Sequence, residues 1–304
     1  MACRRWGSDI LLVGDAERIE KELATHQTES LKLAVHHASE VVGMEDSASD
    51  AVRKKRDSSI RVAFDLVKKG QAQAVVSTGN SGATMAAGMF VLKRVRGIDR
   101  PAIATVMPNQ IDRTVVLDMG ANVECKAQNL YQFAVMGSLY AEHALGKSSP
   151  RVGLLSNGEE EKKGTDLTRE AHALLKESDL NYLGYVEGAD VYNGSADVIV
   201  CDGFVGNVLL KVSEGLAVAI SNMLKEEIGS RFFSKLGYLL AKPAFSAFKK
   251  RVDPAEYGGA PLLGLDGTGV ICHGSSTPVA ISIAIRQAEE FARIKIEEKL
   301  TRYL

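Results

Sequence analysis

The most informative stretch of the sequence is Ala74-Val75-Val76-Ser77-Thr78-Gly79-Asn80-Ser81-Gly82-Ala83-Thr84-Met85-Ala86-Ala87-Gly88-Met89. A short apolar run ends in a turn rich in Gly, Ser and Asn, and a helix-forming run follows at once. This order predicts a strand that leads into the N-terminus of a helix, where free backbone N–H groups and the helix dipole attract anions. The pattern indicates either a phosphate site built on this turn or an ordinary strand-to-helix connection.

The composition is that of an ordinary soluble protein. The 304 residues are 45% hydrophobic and 25% charged, which suffices for one large α/β domain or two smaller ones. Lys and Arg total 37 against 38 for Asp and Glu, and the net charge of −1 argues against a nucleic-acid binder. The cysteines form no C-x-x-C pair, so we expect no metal site and no disulfide, and a reducing cytoplasm as the compartment. They are Cys3, Cys125, Cys201 and Cys272.

Targeting and membrane signals are not evident in the sequence. Residues 1–6 lack the apolar core of a signal peptide. We find no run of about 18 apolar residues, the length that a spanning helix needs. We therefore expect a chain without a membrane span.

Predicted strands and helices alternate along most of the chain. The predicted strands cover residues 10–15, 74–77, 102–107, 114–117, 152–155, 182–186, 198–201, 258–264 and 269–274. This alternation is typical of a mostly parallel sheet covered by helices on both faces, a three-layer α/β/α fold. Polar, glycine-bearing turns follow several strands, at residues 77–82, 118–122, 157–164 and 202–207. Because ligands bind at the carboxyl ends of such strands, we expect the four turns to gather at one edge in one cleft.

A charged helix precedes the opening stretch. Ser47 is predicted to cap it, the apolar spacing of residues 60–67 gives its core stripe, and Gly70 ends it. Its first turns carry the run Arg53, Lys54, Lys55 and Arg56. Such a run is either a solvated face or a docking patch for an acidic partner or a phosphate-bearing substrate.

Residues 208–251 break the alternation and predict a protruding, amphipathic helical hairpin inserted in a single domain of residues 1–304. Its second arm interleaves aromatic and leucine side chains with lysine and arginine. That arm would pack in a core or a dimer interface, or it would enter the lipid headgroup region while its cations meet anionic lipid. The apolar residues expected at a membrane contact are Phe232, Leu236, Leu239 and Leu240.

Several common catalytic motifs are missing. The loop 158–165 has Lys-Lys-Gly-Thr where a P-loop requires Gly-Lys-Ser/Thr, and no G-x-G-x-x-G or G-x-S-x-G follows a strand. Cys201 and Cys272 are expected to be buried and inert. His273 is either a general acid or base or a structural residue of a glycine turn.

Taken together, the turns resemble those of the bacterial phosphate acyltransferases, the PlsX family. The resemblance rests on Ser77-Thr78-Gly79-Asn80-Ser81-Gly82, Asp118-Met119-Gly120-Ala121-Asn122, Gly158-Glu159-Glu160 through Lys163-Gly164, Cys201-Asp202-Gly203-Phe204-Val205-Gly206-Asn207, Gly258-Gly259-Ala260-Pro261-Leu262-Leu263-Gly264 and His273-Gly274-Ser275-Ser276. It covers nearly the whole chain from about residue 9. The family usually opens with a strand that runs into an Asp-Ala-Met-Gly-Gly-Asp turn. Residues 1–8 contain no such pattern, so we expect the family's first strand to be missing.

The resemblance implies a fold similar to phosphotransacetylases and isopropylmalate dehydrogenases. It implies an enzyme that forms acyl phosphate, reversibly, from fatty acyl-[acyl-carrier protein] and inorganic phosphate, for the first acylation of glycerol 3-phosphate in phospholipid synthesis. It also implies a cytosolic homodimer at the membrane surface, where a downstream glycerol-3-phosphate acyltransferase takes the product. No cofactor is expected, because phosphate can attack an activated thioester without an enzyme nucleophile.

Roles for individual residues follow from matching these motifs. Lys163 would neutralise phosphate or oxyanion charge, Asn207 would donate to the thioester oxygen, and Asp202 would orient one of these groups or the departing thiol. The substrate contacts are expected at Thr78, Gly79, Asn80, Ser81, Gly82, Asp118, Asn122, Lys162 and His273. The basic run at residues 53–56 would contact acyl-carrier protein.

Three other functions compete with this hypothesis. A phosphotransacetylase would run the same chemistry on short acyl-CoA. A non-catalytic scaffold would bind acyl groups or phosphate without forming acyl phosphate. A dehydrogenase on the related fold is disfavoured, because no metal-binding Asp cluster stands at a recognisable spacing.

Overall fold

The computed structural model describes residues 1–252 and 258–303. The strands are β1 (Ile10–Gly14), β2 (Leu33–His37), β3 (Ala74–Ser77), β4 (Ala102–Ile103), β5 (Thr105–Pro108), β6 (Arg113–Leu117), β7 (Val152–Leu155), β8 (Tyr182–Val186), β9 (Val198–Val200), β10 (Ala260–Leu263) and β11 (Thr268–Ile271). The helices are α1 (Ala2–Trp6), α2 (Ala16–Leu23), α3 (Ala48–Lys54), α4 (Ser59–Lys68), α5 (Ser81–Val91), α6 (Ala127–Leu145), α7 (Asp166–Lys176), α8 (Asp190–Asn193), α9 (Gly203–Ser230), α10 (Phe232–Val252), α11 (Pro278–Ile294) and α12 (Ile296–Tyr303).

The described strands form three sheets. β1 and β2 pair in parallel, a second sheet has the order β3-β11-β10-β4, and a third has the order β5-β6-β9-β7-β8. The second and third sheets adjoin at Ala104, which separates β4 from β5 and whose N–H donates to the carbonyl of Pro261 at 3.0 Å. Helices cover the sheets as the sequence predicts, with α6 buried over β6 and β9 and α5 packed on α3 and α4. The result is an α/β/α fold.

Strand directions divide the four polar turns into two groups. β3 and β11 are parallel, and two successive antiparallel pairings through β10 leave β4 running with β3. β5 continues β4 and pairs antiparallel with β6, so the parallel strands β6, β9 and β7 run against β3. The expectation that all four turns share one edge is therefore right for the turns after β6, β7 and β9. The turn after β3 ends a strand of the other sheet, and because the β5–β6 pairing reverses the strand direction, its carboxyl end faces those three turns across the junction at Ala104.

Two predicted elements are split. The predicted helix from Ser47 to Gly70 is two helices, α3 and α4, interrupted at residues 55–58. Ser47 does cap α3, since its hydroxyl accepts from the N–H of Asp50 at 3.2 Å. The predicted strand 102–107 is β4 and β5, and the strand β2 was not predicted.

The hairpin of α9 and α10 is present and carries an exposed apolar surface. α9 alone exposes Val212, Leu216 and Met223 by 61%, 58% and 65%. By length and composition α9 is apolar enough to cross a membrane, with a mean hydropathy of 1.5 over 18 residues that are 11% buried. Lys211 and Glu214 interrupt this helix, so the search of the sequence for an unbroken apolar run of about 18 residues did not find it. The first turn of α9 nevertheless packs into the α/β domain through the buried Gly203 and Gly206.

Candidate functional site

The turn after β6 is organised by a buried carboxylate. Oδ1 of Asp118 accepts from the N–H of Ile103 at 2.9 Å and of Ala121 at 3.2 Å. Oδ2 accepts from both the N–H and the side-chain Nδ2 of Asn122, at 2.6 and 3.0 Å. Nδ2 of Asn122 also donates to the carbonyl of Pro101 at 2.8 Å. The sequence predicted Asp118 and Asn122 as substrate contacts, and the described bonds use both side chains to shape the turn.

Burial of Asp118 has an electrostatic consequence. Its side chain is 0% exposed, and removal of the charged form from water raises its pKa above the usual 3.8. The hydrogen bonds from Ile103, Ala121 and Asn122 act in the opposite direction, because they stabilise the carboxylate. Desolvation is the larger effect, so the turn is built around a carboxyl group that is costly to ionise.

The N-terminus of α9 docks directly on this turn. Asp202 caps the helix, with Oδ1 accepting from the N–H of Phe204 and of Val205, each at 3.0 Å. The N–H of Gly203 donates to the carbonyl of Asn122 at 2.7 Å. A Cβ at Gly203 would stand 2.7 Å from that same oxygen, so only glycine fits there. Asp202 was predicted to orient a catalytic group, and the structure shows it as the helix cap.

Asn207 lies where the first turn of α9 faces the turn after β6. A Cβ built at Gly120 would meet the Cβ and Oδ1 of Asn207 at 3.5 and 3.7 Å. Gly120 has a φ of +119°, a conformation that side chains rarely adopt. Asn207 is exposed, and within the described residues its amide has no hydrogen-bond partner. Its amide therefore remains available to a ligand beside Gly120.

The loop after β7 carries Lys163 on a compact frame. Oδ1 of Asn157 accepts from the N–H of Gly164 at 2.8 Å, and the N–H of Lys163 donates to the carbonyl of Glu160 at 2.9 Å. The aliphatic stem of Lys163 passes over Gly158, where a Cβ would lie 3.0 Å from its Cγ. Lys162 and Lys163 are both exposed, and neither forms an ion pair among the residues described.

These three turns place complementary groups along one sheet edge. β7 and β6 flank β9 on either side, so the turns that bear Lys163 and Asn207 follow neighbouring strands. A flexible ammonium and an amide donor can hold an oxyanion and a carbonyl oxygen, respectively. The edge is suited to a reaction that develops negative charge on oxygen.

The turn after β3 is a helix cap tied to a neighbouring loop. Oδ1 of Asn80 accepts from the N–H of Ala83 at 3.0 Å. Its Nδ2 donates to the carbonyls of Gly43, Met44 and Asp46 at 3.3, 3.0 and 3.2 Å. The side chain of Asn80 is thus engaged with the protein itself. The exposed hydroxyls of Thr78 and Ser81, and the backbone at Gly79 and Gly82, are the groups through which this turn would meet an anion, which stays a prediction.

His273 follows β11 and stands beside the same turn. A Cβ at the neighbouring Gly274 would be 3.6 Å from the carbonyl oxygen of Thr78. Nδ1 of His273 accepts from the N–H of Ser275 at 3.2 Å, which leaves the proton of a neutral ring on Nε2. His273 is exposed and presents a donor there. Ala121 packs against the apolar cluster that contains Ala83 and Ala87 of α5, so the two groups of turns share a contact.

Cys125, Cys201 and Cys272 are not poised as nucleophiles. Burial raises the pKa of Cys201 well above its usual value and that of Cys272 to about 11. The pKa of Cys125 is raised to about 11, chiefly by burial and then by the charge of Asp118. These groups are thiols at neutral pH, in line with the expectation for Cys201 and Cys272.

The remaining predicted contacts are on the basic run at residues 53–56 and on the hairpin. In the basic run, Lys55 Nζ binds the carbonyl of Val41 at 2.7 Å and Asp46 at 2.5 Å, and Lys54 pairs with Asp50 at 3.1 Å. Arg53 and Arg56 are exposed. In the hairpin, Leu239 and Leu240 are 63% and 82% exposed, while the side chains of Phe232 and Leu236 lie outside the described residues.

Sequence comparison places the chain among proteins of lipid synthesis. The profile of a family described as "Fatty acid synthesis protein" matches residues 2–299. A protein named "Phosphate acyltransferase" from Syntrophotalea carbinolica is 63% identical over 299 residues, covering 98% of this chain and 86% of that one. A second protein of the same name, from Geobacter sp. (strain M21), is 64% identical over 291 residues, covering 96% of this chain and 83% of that one.

Comparison with solved structures supports the same fold. The EutD phosphotransacetylase from Staphylococcus aureus superposes with a TM-score of 0.56 at 14% identity, covering 98% of this chain and 89% of that one. A phosphotransacetylase from Streptococcus pyogenes superposes with a TM-score of 0.53 at 17% sequence identity, covering 96% of this chain and 95% of that one. At these identities the likeness concerns the fold, and it confirms the expected phosphotransacetylase-like architecture.

Proposed function

Because the chain belongs to the phosphate acyltransferase family and is an acyltransferase, we propose that it makes acyl phosphate from inorganic phosphate and a fatty acyl-[acyl-carrier protein]. A phosphate oxygen attacks the thioester carbonyl carbon, and the C–O bond forms as the C–S bond breaks. The carrier thiolate leaves and takes up a proton. The reaction is reversible, because an acyl phosphate and a thioester are both activated acyl groups.

The observation that carries this proposal is the pairing of Lys163 and Asn207 on turns of adjoining strands. In the proposed complex, the Lys163 ammonium offsets the charge of phosphate and the Asn207 amide donates to the thioester oxygen as it becomes an oxyanion. Asp118 and Asp202 contribute indirectly, because they stabilise the turn and the helix that position Asn207. Proximity and preorganised donors supply the catalysis, without a covalent intermediate on the enzyme.

The competing functions are less well supported. A phosphotransacetylase acting on short acyl-CoA is suggested only by the fold, at 14% and 17% identity, whereas relatives at 63% and 64% are named phosphate acyltransferases. A non-catalytic scaffold would not need an unpartnered donor and an unpaired ammonium at one sheet edge.

A hydroxamate trap tests the proposal. The purified protein is incubated with palmitoyl-acyl-carrier protein, phosphate and hydroxylamine, and palmitoyl hydroxamate is measured. We expect product that depends on phosphate and on the protein, and much less from acetyl-CoA. Product from acetyl-CoA alone would favour the phosphotransacetylase, and binding without product from either donor would favour the scaffold.

We also propose that the protein works as a cytoplasmic homodimer at the membrane surface. There it would deliver acyl phosphate to a glycerol-3-phosphate acyltransferase. The support is the apolar face of the hairpin: Leu239, Leu240 and Phe248 are 63%, 82% and 59% exposed, beside the exposed Lys235 and Lys242. Apolar side chains flanked by cations suit an anionic lipid surface, and the long apolar face of α9 suits a second copy of the hairpin.

A further inference from the structure

A cationic loop joins α5 to β4. We call residues 93–100 the basic loop. Its exposed cations are Lys93, Arg94, Arg96 and Arg100, against one carboxylate, Asp99. None of the four forms an ion pair with a carboxylate in the part of the chain that the structure describes. In a chain of net charge −1, this is a local concentration of unpaired positive charge.

The basic loop borders the turn after β6. Nη1 of Arg100 donates to the carbonyl of Glu124 at 3.2 Å, and the next residue, Pro101, accepts from Nδ2 of Asn122 at 2.8 Å. Asn122 in turn accepts from the N–H of Gly203 at the start of α9. Two hydrogen-bonded steps thus connect the loop to the helix that carries Asn207.

The loop is held in one shape. The side chain of Gln132, which is only 2% exposed, accepts from the N–H of Asp99 at 2.9 Å and donates to the carbonyl of Gly97 at 2.8 Å. The N–H of Val95 donates to the carbonyl of Gly264 at 3.0 Å. A charged surface that is already ordered loses little entropy when a partner binds.

We propose that the basic loop docks the acidic carrier protein, so that its acyl thioester enters the edge bearing Asn207 and Lys163. The inference rests on the proposed function. Charge complementarity supports it, since unpaired cations beside a site speed the approach of an acidic partner. The alternative surface, α3, has Lys54 and Lys55 already paired with Asp50 and Asp46, and it packs on α5 with the turn after β3.

The test compares two double charge reversals of equal size. Lys93→Glu/Arg96→Glu alters the basic loop at exposed side chains, and Arg53→Glu/Arg56→Glu makes the same change on α3. For the loop variant we expect the KM for palmitoyl-acyl-carrier protein to rise about tenfold at low salt and less at high salt, with kcat at saturation unchanged. The α3 variant should keep the wild-type KM.

Direct binding separates docking from damage to the fold. Anisotropy of labelled acyl-carrier protein should show about tenfold weaker binding to the loop variant, while its urea unfolding midpoint matches wild type. An unchanged KM and affinity in the loop variant would overturn the inference, as would a loss confined to the α3 variant. Neither result would bear on the proposed function. That function is contradicted only if the wild-type protein makes no acyl phosphate.

Discussion

Gly206 packs so closely against Asp118 that the main-chain carbonyl oxygen of Asp118 occupies the space where a Cβ of residue 206 would stand. Sγ of Cys201 lies 3.1 Å from the same hypothetical Cβ, so a side chain at residue 206 would meet protein atoms on two sides. Asn207 follows directly in the chain and lies against Gly120. The position of the proposed oxyanion donor therefore depends on a contact that only glycine permits.

Gly206→Ala should lower the free energy of unfolding by about 2 kcal/mol or more, because the methyl group forces α9 off the turn. Urea unfolding followed by circular dichroism measures the loss. Gly215→Ala is the matched control on the same helix, since a Cβ there meets nothing within 4 Å. Alanine at that position should be neutral or stabilising by about 0.5–1 kcal/mol. Equal effects at both positions would contradict the packing account.

Asp118→Asn should destabilise the protein most at acidic pH. Because the folded state raises the pKa of Asp118 above 3.8, it binds a proton that the unfolded state has released, and the stability of wild type falls as pH rises through that raised pKa. Asparagine cannot titrate, so the stability difference between wild type and variant should shrink as pH rises from about 4 to 7. Urea titrations across this range measure it. A difference that grows with pH would show that Asp118 is held as a carboxylate with a lowered pKa.

Thr78→Ala/Ser81→Ala tests the anion site predicted at the turn after β3. Both hydroxyls are exposed, so stability should hold within about 0.5 kcal/mol. If the turn binds phosphate, the KM for phosphate should rise by about threefold to tenfold, as expected for the loss of one or two hydrogen bonds, while the KM for the thioester stays constant. Wild-type KM values for both substrates would leave the turn as a structural helix cap.

Leu240→Glu should release the protein from anionic vesicles. Removing an exposed leucine from the lipid boundary and adding a negative charge should weaken binding about tenfold or more. Val41→Glu is the control, since Val41 is 66% exposed outside the hairpin. Co-sedimentation with vesicles measures binding, and sedimentation velocity reports the oligomeric state. Retention on vesicles together with loss of the dimer would assign this face to subunit contact.

Much of the fold was accessible from the sequence because its turns carry local signals. Ser47 caps its helix as predicted, with a hydroxyl that accepts from the N–H of Asp50. The strand-turn-helix pattern of the opening stretch is β3 followed by α5. Such features depend on a few neighbouring residues, so they can be predicted from a single chain.

The grouping of the turns could not be predicted as readily, because it depends on strand pairing. The sequence did contain one neglected signal: only four residues, 109–112, join β5 to β6. So short a connection can link only antiparallel neighbours, and here Asn109 Oδ1 accepts from the N–H of Ile111 at 2.8 Å to hold the turn. That reversal puts the turn after β3 on the other side of the junction between the two sheets, facing the other three turns.

Residue roles were the least predictable from sequence. Asp202 and Asn80 stand in motifs that suggest chemistry, yet their side chains cap helices. Gly120, Gly203 and Gly206 stand within those motifs, and the sequence predicts no role for them. Their function, to let α9 approach the turn after β6, is visible only once the two elements are in contact.

The rate of acyl phosphate formation in Lys163→Ala and Asn207→Ala shows whether the reaction takes place at this sheet edge. We expect kcat to fall on the order of 100-fold in each variant, as when an oxyanion donor is removed, while the urea midpoint stays that of wild type. Asn222→Ala, an exposed asparagine further along α9, should keep full activity. Near-normal kcat in both Lys163→Ala and Asn207→Ala would contradict the assignment of the reaction to this sheet edge.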